Sequence, residues 1–239
     1  MDPVDQVVPG DKWEFDNQVT EVFDNMLERS IPGYLDMRRL TSILAIEFAK
    51  PGTYIVDLGC SRGGSLQQIV DKLGNKNKYI GSEISNPMRM AAIERFKGYK
   101  DIVLSIKDID LRHDFPVEES SVVLSVLTLQ FIPIEYRQQV LAKAYASLID
   151  GGIFILVEKI LGRDSHTNDL FVKLYYDLKG ENGYSEEQIN TKRRSLEGVL
   201  VPVTSDWNEQ LMKSAGFQHV ECFWRNLNFA GWIGVKNDQ

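Results

Sequence analysis

The apolar run Tyr54-Ile55-Val56 leads straight into Asp57-Leu58-Gly59-Cys60-Ser61-Arg62-Gly63-Gly64, and this junction constrains the fold more than any other stretch. A short strand pattern that breaks into a glycine-rich turn and opens a helix is the entry to a nucleotide-type site in an open α/β sheet. Read as G-x-G-x-x-G, the turn has Gly59 and Gly64 in place but serine at position 61. The missing middle glycine is the one that lets backbone approach a pyrophosphate. Asp57, two residues before the first glycine, suits instead a ligand with a charged amino-acid arm and no phosphate. The turn therefore points to S-adenosylmethionine ahead of NAD, with a bare strand–helix connector as the plain alternative.

Two further acids stand where such a ligand needs them. The strand candidate Lys78–Glu83 ends in Glu83, and the candidate Asp101–Asp108 ends in Asp108. Ligands of open parallel sheets bind outside the carboxyl ends of the strands. Glu83 is placed to accept the ribose hydroxyls and Asp108 the adenine amino group, since an ionised carboxylate is an acceptor only. Each acid alone reads equally well as a helix cap. Three in register favour the ligand.

Composition sets the outer limits. At 239 residues the chain is expected to form one α/β domain, 1–239, able to bury a full core. Apolar runs stop at strand length, which argues against membrane spans. The start Met1-Asp2-Pro3-Val4-Asp5 lacks the regions of a signal peptide, and two cysteines make no disulfide framework, so a reduced, cytoplasmic protein is expected. Three scattered histidines give no metal site. A net charge of −7 is the wrong sign for a nucleic-acid surface and leaves a small-molecule substrate.

Along the chain, residues 1–12 are polar and expected to be loose. Val19, Val22, Phe23 and Met26 mark one face of a helix, and Pro32-Gly33 separates it from a second, about Tyr34 to Lys50. These helices, within 13–50, suggest a lid over the sheet edge. Strand and helix patterns then alternate, with strands at Val122–Leu127 and Ile153–Glu158. A charged, helical insertion over 164–200 follows, with Ser185 and Gln188 forming a capping box. After a helix from about Thr204 to Ala215, two close strand patterns, His219–Arg225 and Asn228–Val235, must pair antiparallel. A mostly parallel, seven-stranded, Rossmann-like sheet with an antiparallel last strand is the class I methyltransferase architecture.

From about Trp13 to the C-terminus the chain resembles the carboxy-S-adenosylmethionine synthases. The matching stretches are Phe15-Asp16, Arg29–Tyr34, Asp57–Ser61, Thr128–Phe131, Gly183–Ser185 and Lys192-Arg193. The resemblance implies an enzyme that takes carbon dioxide from prephenate and attaches it to the methyl carbon of S-adenosylmethionine, and that forms a homodimer. A sulfonium acidifies its methyl C–H bonds, so a transient ylide can capture carbon dioxide. The new carboxylate then needs a cation, and the resemblance places a family arginine on Arg193, against the plainer reading of a solvated arginine in Lys192-Arg193-Arg194. Carried over likewise as ligand contacts are Tyr34, Gly59, Cys60, Ser61, Asp108 and Ile109. The family's Asp-Asn pair after the second strand is Glu83-Ile84 here, and a ligand-contacting asparagine after the fourth is Val126. A histidine pair in the insertion is Tyr175-Tyr176. That exchange puts phenols with pKa near ~10 where imidazoles titrate near ~6.5. Two alternatives keep the cofactor. One is methyl transfer to another small acid. The other is intramolecular closure of the cofactor's own amino-acid arm, releasing methylthioadenosine, with Tyr175 or Tyr176 orienting or deprotonating the amine.

Overall fold

Asp16 starts the first helix, α1 (Asn17–Ser30): its Oδ1 accepts the Val19 amide at 2.8 Å, satisfying one of the free N–H groups of the first turn. Val19, Val22, Phe23 and Met26 are buried along one face, as their spacing predicts. The chain leaves α1 through Pro32 and Gly33, whose φ of +68° turns it into α2 (Tyr34–Phe48). The computed structural model describes residues 3–116 and 119–237.

Next come β1 (Tyr54–Leu58), α3 (Gly64–Leu73), β2 (Lys78–Ser82), α4 (Asn86–Phe96), β3 (Leu104–Lys107), β4 (Ser120–Val126), α5 (Ile134–Ser147) and β5 (Leu148–Leu161). The insertion holds α6 (Ser165–Glu181) and α7 (Glu186–Leu196), the latter opened by the Ser185–Gln188 capping box. A two-residue strand, β6 (Val203–Thr204), precedes α8 (Ser205–Ser214) and the hairpin β7 (His219–Asn226) and β8 (Phe229–Val235). The main sheet runs β3-β2-β1-β4-β5-β8-β7, with β6 paired to β5 at its side. Its first five strands are parallel, and β8 is antiparallel to both β5 and β7. This is the expected class I methyltransferase sheet.

The central strands are buried on both faces, which is why Val122-Val123-Leu124 and Ile153–Val157 read as continuous apolar runs. One core lies between the sheet and α5 and α8, where Phe154 and Phe217 stack at 5.7 Å. The other lies under α2 and α3 and includes Tyr34 and Tyr175. Each large side chain so buried contributes roughly 1.5–3 kcal/mol of transfer free energy.

Three expectations are corrected. The third strand is shorter than Asp101–Asp108, because it is an edge strand paired on one side and its ends are not held. The fifth is longer than Ile153–Glu158, because β4, β8 and β6 supply partners past both ends. That extension carries Lys159 beyond the ladder with β4. Of the residues expected to be loose, Met1 and Asp2 lie outside the described residues, whereas Asp5 is 2% exposed and firmly bonded. No described helix is long and apolar enough to cross a membrane.

Candidate active site

At the carboxyl edge of the sheet the chain turns from β1 into α3 through three residues with positive φ: Gly59 (+69°), Ser61 (+48°) and Gly63 (+76°). Gly59 has to be glycine for two reasons. Its backbone is left-handed, and a Cβ there would lie 2.3 Å from Cγ2 of Thr128, whose hydroxyl donates to the Gly59 carbonyl at 3.2 Å. Gly59→Ala should therefore cost about 1–3 kcal/mol of stability. Gly98→Ala, where the space is open and φ is ordinary, should cost far less in the same urea titration.

The turn separates two connected chambers. The main cavity is floored by Asp57 and lined by Tyr34, Gly59, Cys60, Ser61 and Val126, with Trp13 and Phe15 closing it from the N-terminal segment. The adjoining chamber shares Phe15, Gly59 and Ser61 and is lined by Glu83, Ile84 and Ile109. Glu83 accepts the Ser61 amide at 2.9 Å and the Ser85 amide at 2.8 Å. Burial raises its pKa, and these backbone donors oppose the rise. Each of its oxygens keeps a lone pair for a ligand hydroxyl. Ile84 leaves an exposed apolar surface where a flat base would lie.

Asp57 is buried, and its pKa is pushed up to about 7, first by burial and then by the charge of Glu83, with Arg38 opposing. Burial also pushes the Tyr34 phenol up to about 12 and the Cys60 thiol well above its usual value. At neutral pH Tyr34 is a donor and Cys60 is no nucleophile.

Asp108 is not brought to the chamber. Its side chain is 66% exposed and pairs with Arg89 at 3.2 Å, while the neighbouring Ile109 and Asp110 line the wall. Arg193 stands on the lip of a side chamber with Tyr175 and Tyr176, 45% exposed and paired with Glu197 at 2.9 Å. Tyr175 reaches both this side chamber and the main cavity; Tyr176, half-buried, reaches only the former.

Sequence reasoning missed the lysines. Lys159 from β5, Lys179 from α6 and Lys192 from α7 surround Tyr175 and Tyr184. Lys159 Nζ lies 4.8 Å and Lys179 Nζ 5.4 Å from the Tyr175 ring centre, and Lys192 Nζ lies 4.9 Å from that of Trp13. Burial lowers Lys159 to about 8, and burial with repulsion from Lys192 and Lys159 lowers Lys179 to about 7. Lys192 falls to about 8, burial outweighing the attraction of Asp5. Among the described residues the one carboxylate paired with this group is Asp5, 3.8 Å from Lys192. The wall carries more positive charge than the protein neutralises, which is the electrostatic signature of an anion site. The sequence signal is a charged pair, Glu158-Lys159, directly behind the apolar run Ile153–Val157. No described group of His, Cys, Asp and Glu is arranged to hold a metal ion.

Residues 55–152 match a family model described as a methyltransferase domain. The chain is 40% identical over 229 residues to a carboxy-S-adenosyl-L-methionine synthase of Wolinella succinogenes, covering 95% of both chains. It is 36% identical over 228 residues to one of Methylococcus capsulatus, covering 95% of this chain and 94% of that protein. Among solved structures it is similar to phosphoethanolamine N-methyltransferase 2 of Haemonchus contortus in complex with S-adenosyl-L-methionine. There the TM-score is 0.68 at 15% identity, over 94% of this chain and 58% of that one. An O-methyltransferase family protein of Burkholderia thailandensis gives a TM-score of 0.66 at 17% identity, over 93% of this chain and 61% of that one. At such identities the two structures establish the fold alone.

Proposed function

This chain belongs to the carboxy-S-adenosyl-L-methionine synthase family, and we propose that it makes carboxy-S-adenosylmethionine from S-adenosylmethionine and prephenate. The observation that carries this reading is the pairing of an acidic floor with a cationic wall in one cavity: Asp57 below, Lys159 and Lys192 at the side. The amino-acid arm of S-adenosylmethionine brings an ammonium to Asp57, and its ribose hydroxyls meet Glu83 in the adjoining chamber beside Ile84 and Ile109. Tyr34, Cys60 and Val126 line the main cavity around that arm, and Ser61 lines both chambers. The sulfonium methyl then lies towards Tyr175, where the lysines hold the carboxylates of the second substrate and of the product.

In the reaction prephenate loses carbon dioxide as its ring aromatises and its ring hydroxyl departs as hydroxide. A methyl C–H bond breaks, its proton passing to that hydroxide to give water. The electron pair left on the carbon forms the bond to carbon dioxide, with phenylpyruvate as the second product. The chain's part is to keep water out with Trp13 and Phe15 and to hold a carboxylate beside the methyl carbon. Arg193 is a further carboxylate contact in this reading, reaching in from the lip of the side chamber. The homodimer and the cytoplasmic location expected from the sequence belong to the same proposal.

The lysine wall also favours a second reading. Positive charge nearby keeps an amine unprotonated, as intramolecular ring closure requires. Mass spectrometry after incubation with S-adenosylmethionine, with and without prephenate, separates the two. The expected product appears only with prephenate and is one carboxyl group heavier than S-adenosylmethionine. Methylthioadenosine from S-adenosylmethionine alone, lost on Tyr175→Phe or Tyr176→Phe by about 10²-fold, would instead establish ring closure.

A further inference from the structure

The segment ahead of α1 makes contacts that a mere cover does not need. Asp5 is buried beneath it, and every polar atom it offers is used. Its amide donates to Asn25 Oδ1 at 2.9 Å, its Oδ1 accepts from the Val7 amide at 3.1 Å, and its carbonyl accepts from Arg29 Nη1 at 3.0 Å. Its Oδ2 accepts from Tyr184 Oη at 2.5 Å and lies 3.8 Å from Lys192 Nζ. The Lys192 side chain is only 12% exposed, and its ammonium sits against the rings of Trp13 and Tyr184 at the wall of the main cavity. The charged and titratable groups around it come from every neighbouring element: Asp5, Arg29 of α1, Lys179 of α6, Tyr184 and, across Tyr175, Lys159 of β5. Among them Asp5 is the only anion.

We infer that Asp5 is a positioning residue, whose carboxylate fixes the Lys192 ammonium in the cavity wall where the carboxylate substrate binds. The inference rests on the function proposed above. Without Asp5, Lys192 would be left with the cost of burial and the repulsion of Arg29, and would have no reason to stay charged in a buried place. The Asp5 carboxylate is itself held in place by the Val7 amide and the Tyr184 hydroxyl, both donating to it, so Lys192 is anchored from behind while its front faces the cavity.

Asp5→Asn keeps the shape and one acceptor oxygen, which can serve the Val7 amide or Tyr184 but not both, and removes the charge; Tyr184→Phe controls for the lost hydrogen bond. It should raise KM for prephenate about 10- to 30-fold while kcat and the dissociation constant for S-adenosylmethionine stay within about threefold. In a Lys192→Met background the same change should add less than about twofold, since a pair acting through one contact is not additive. Tyr184→Phe, which loosens the segment but spares the charge, should leave KM within about threefold. If Asp5 only docks the segment, Tyr184→Phe will raise KM as much as Asp5→Asn does, and the two effects will persist without Lys192. Either result overturns the inference. A substrate-free measurement keeps it separate from the proposed reaction. At neutral pH an acylating reagent should modify Lys192, relative to exposed Lys72, about fivefold faster in Asp5→Asn, because the ammonium loses its counter-charge. Unchanged acylation overturns the role of Asp5. Faster acylation in a protein that makes no prephenate-dependent product overturns the proposed reaction and leaves the Asp5–Lys192 coupling standing.

Discussion

Lys159→Met should lower kcat/KM for prephenate by about two to three orders of magnitude and leave the affinity for S-adenosylmethionine within about threefold. Lys159 makes no ion pair among the described residues, and burial alone accounts for its lowered pKa of about 8. Its ammonium is aimed between the Tyr175 ring and the main cavity. A desolvated cation facing an anionic substrate contributes roughly 2–5 kcal/mol to holding it, much of it the cost of leaving the substrate's charge unpaired when the cation is removed. Methionine has nearly the same length and no charge, so the variant should fold and be no less stable, because a buried, unpaired ammonium is itself a cost.

The pH profile carries the same argument. The anion needs the charged form of Lys159, and that form is lost as pH rises through about 8. In the wild type kcat/KM for prephenate should fall above that pH, and in Lys159→Met the remaining activity should follow Lys192 instead, which titrates at a similar value. Wild-type activity in the methionine variant would place the carboxylate elsewhere, with Arg193 the next position to test.

Periodicity and turn chemistry made most of the fold legible. The glycine turn, the apolar face of α1, the capping box at Ser185 and the closing hairpin are all local patterns, and each formed where its pattern lay. What the strand-end rule fixes is the position of the backbone, not the direction of a side chain. Glu83 follows a strand paired on both sides and points into its chamber. Asp108 follows an edge strand and turns instead to Arg89 of α4. The lysines were invisible for another reason. Lysine in sequence reads as solvent-facing, and only the tertiary crossing of β5, α6 and α7 brings Lys159 and Lys179 to the Tyr175 ring and Lys179 and Lys192 to the Tyr184 ring. Asp5 has no local signal at all: its partners, Tyr184 and Lys192, lie at the far end of the chain.

Asp57→Asn should weaken S-adenosylmethionine binding by roughly 2–5 kcal/mol while making the free protein more stable, two effects of opposite sign from one side chain. Asp57 is buried at the end of β1 beside Glu83, and its pKa in the fold stands at about 7 against an ordinary value of 3.8. A carboxyl group whose pKa is raised by folding favours the folded state fully below its unfolded pKa and loses that contribution as pH rises through the folded one. Wild-type stability should therefore decline between about pH 4 and 7 from this group and level off above it. The asparagine variant, lacking that titration, should gain roughly 2–4 kcal/mol relative to wild type at pH 8 in urea titrations. Binding runs the other way. An ammonium in the cavity needs the ionised form, so wild-type affinity should weaken about tenfold for each unit of pH below 7, and calorimetry of the variant should show a flat, weak profile across that range. If Asp57→Asn bound S-adenosylmethionine as tightly as wild type, the acid at the floor would be a relic of the turn's geometry, and the amino-acid arm would have to lie towards the lysines instead.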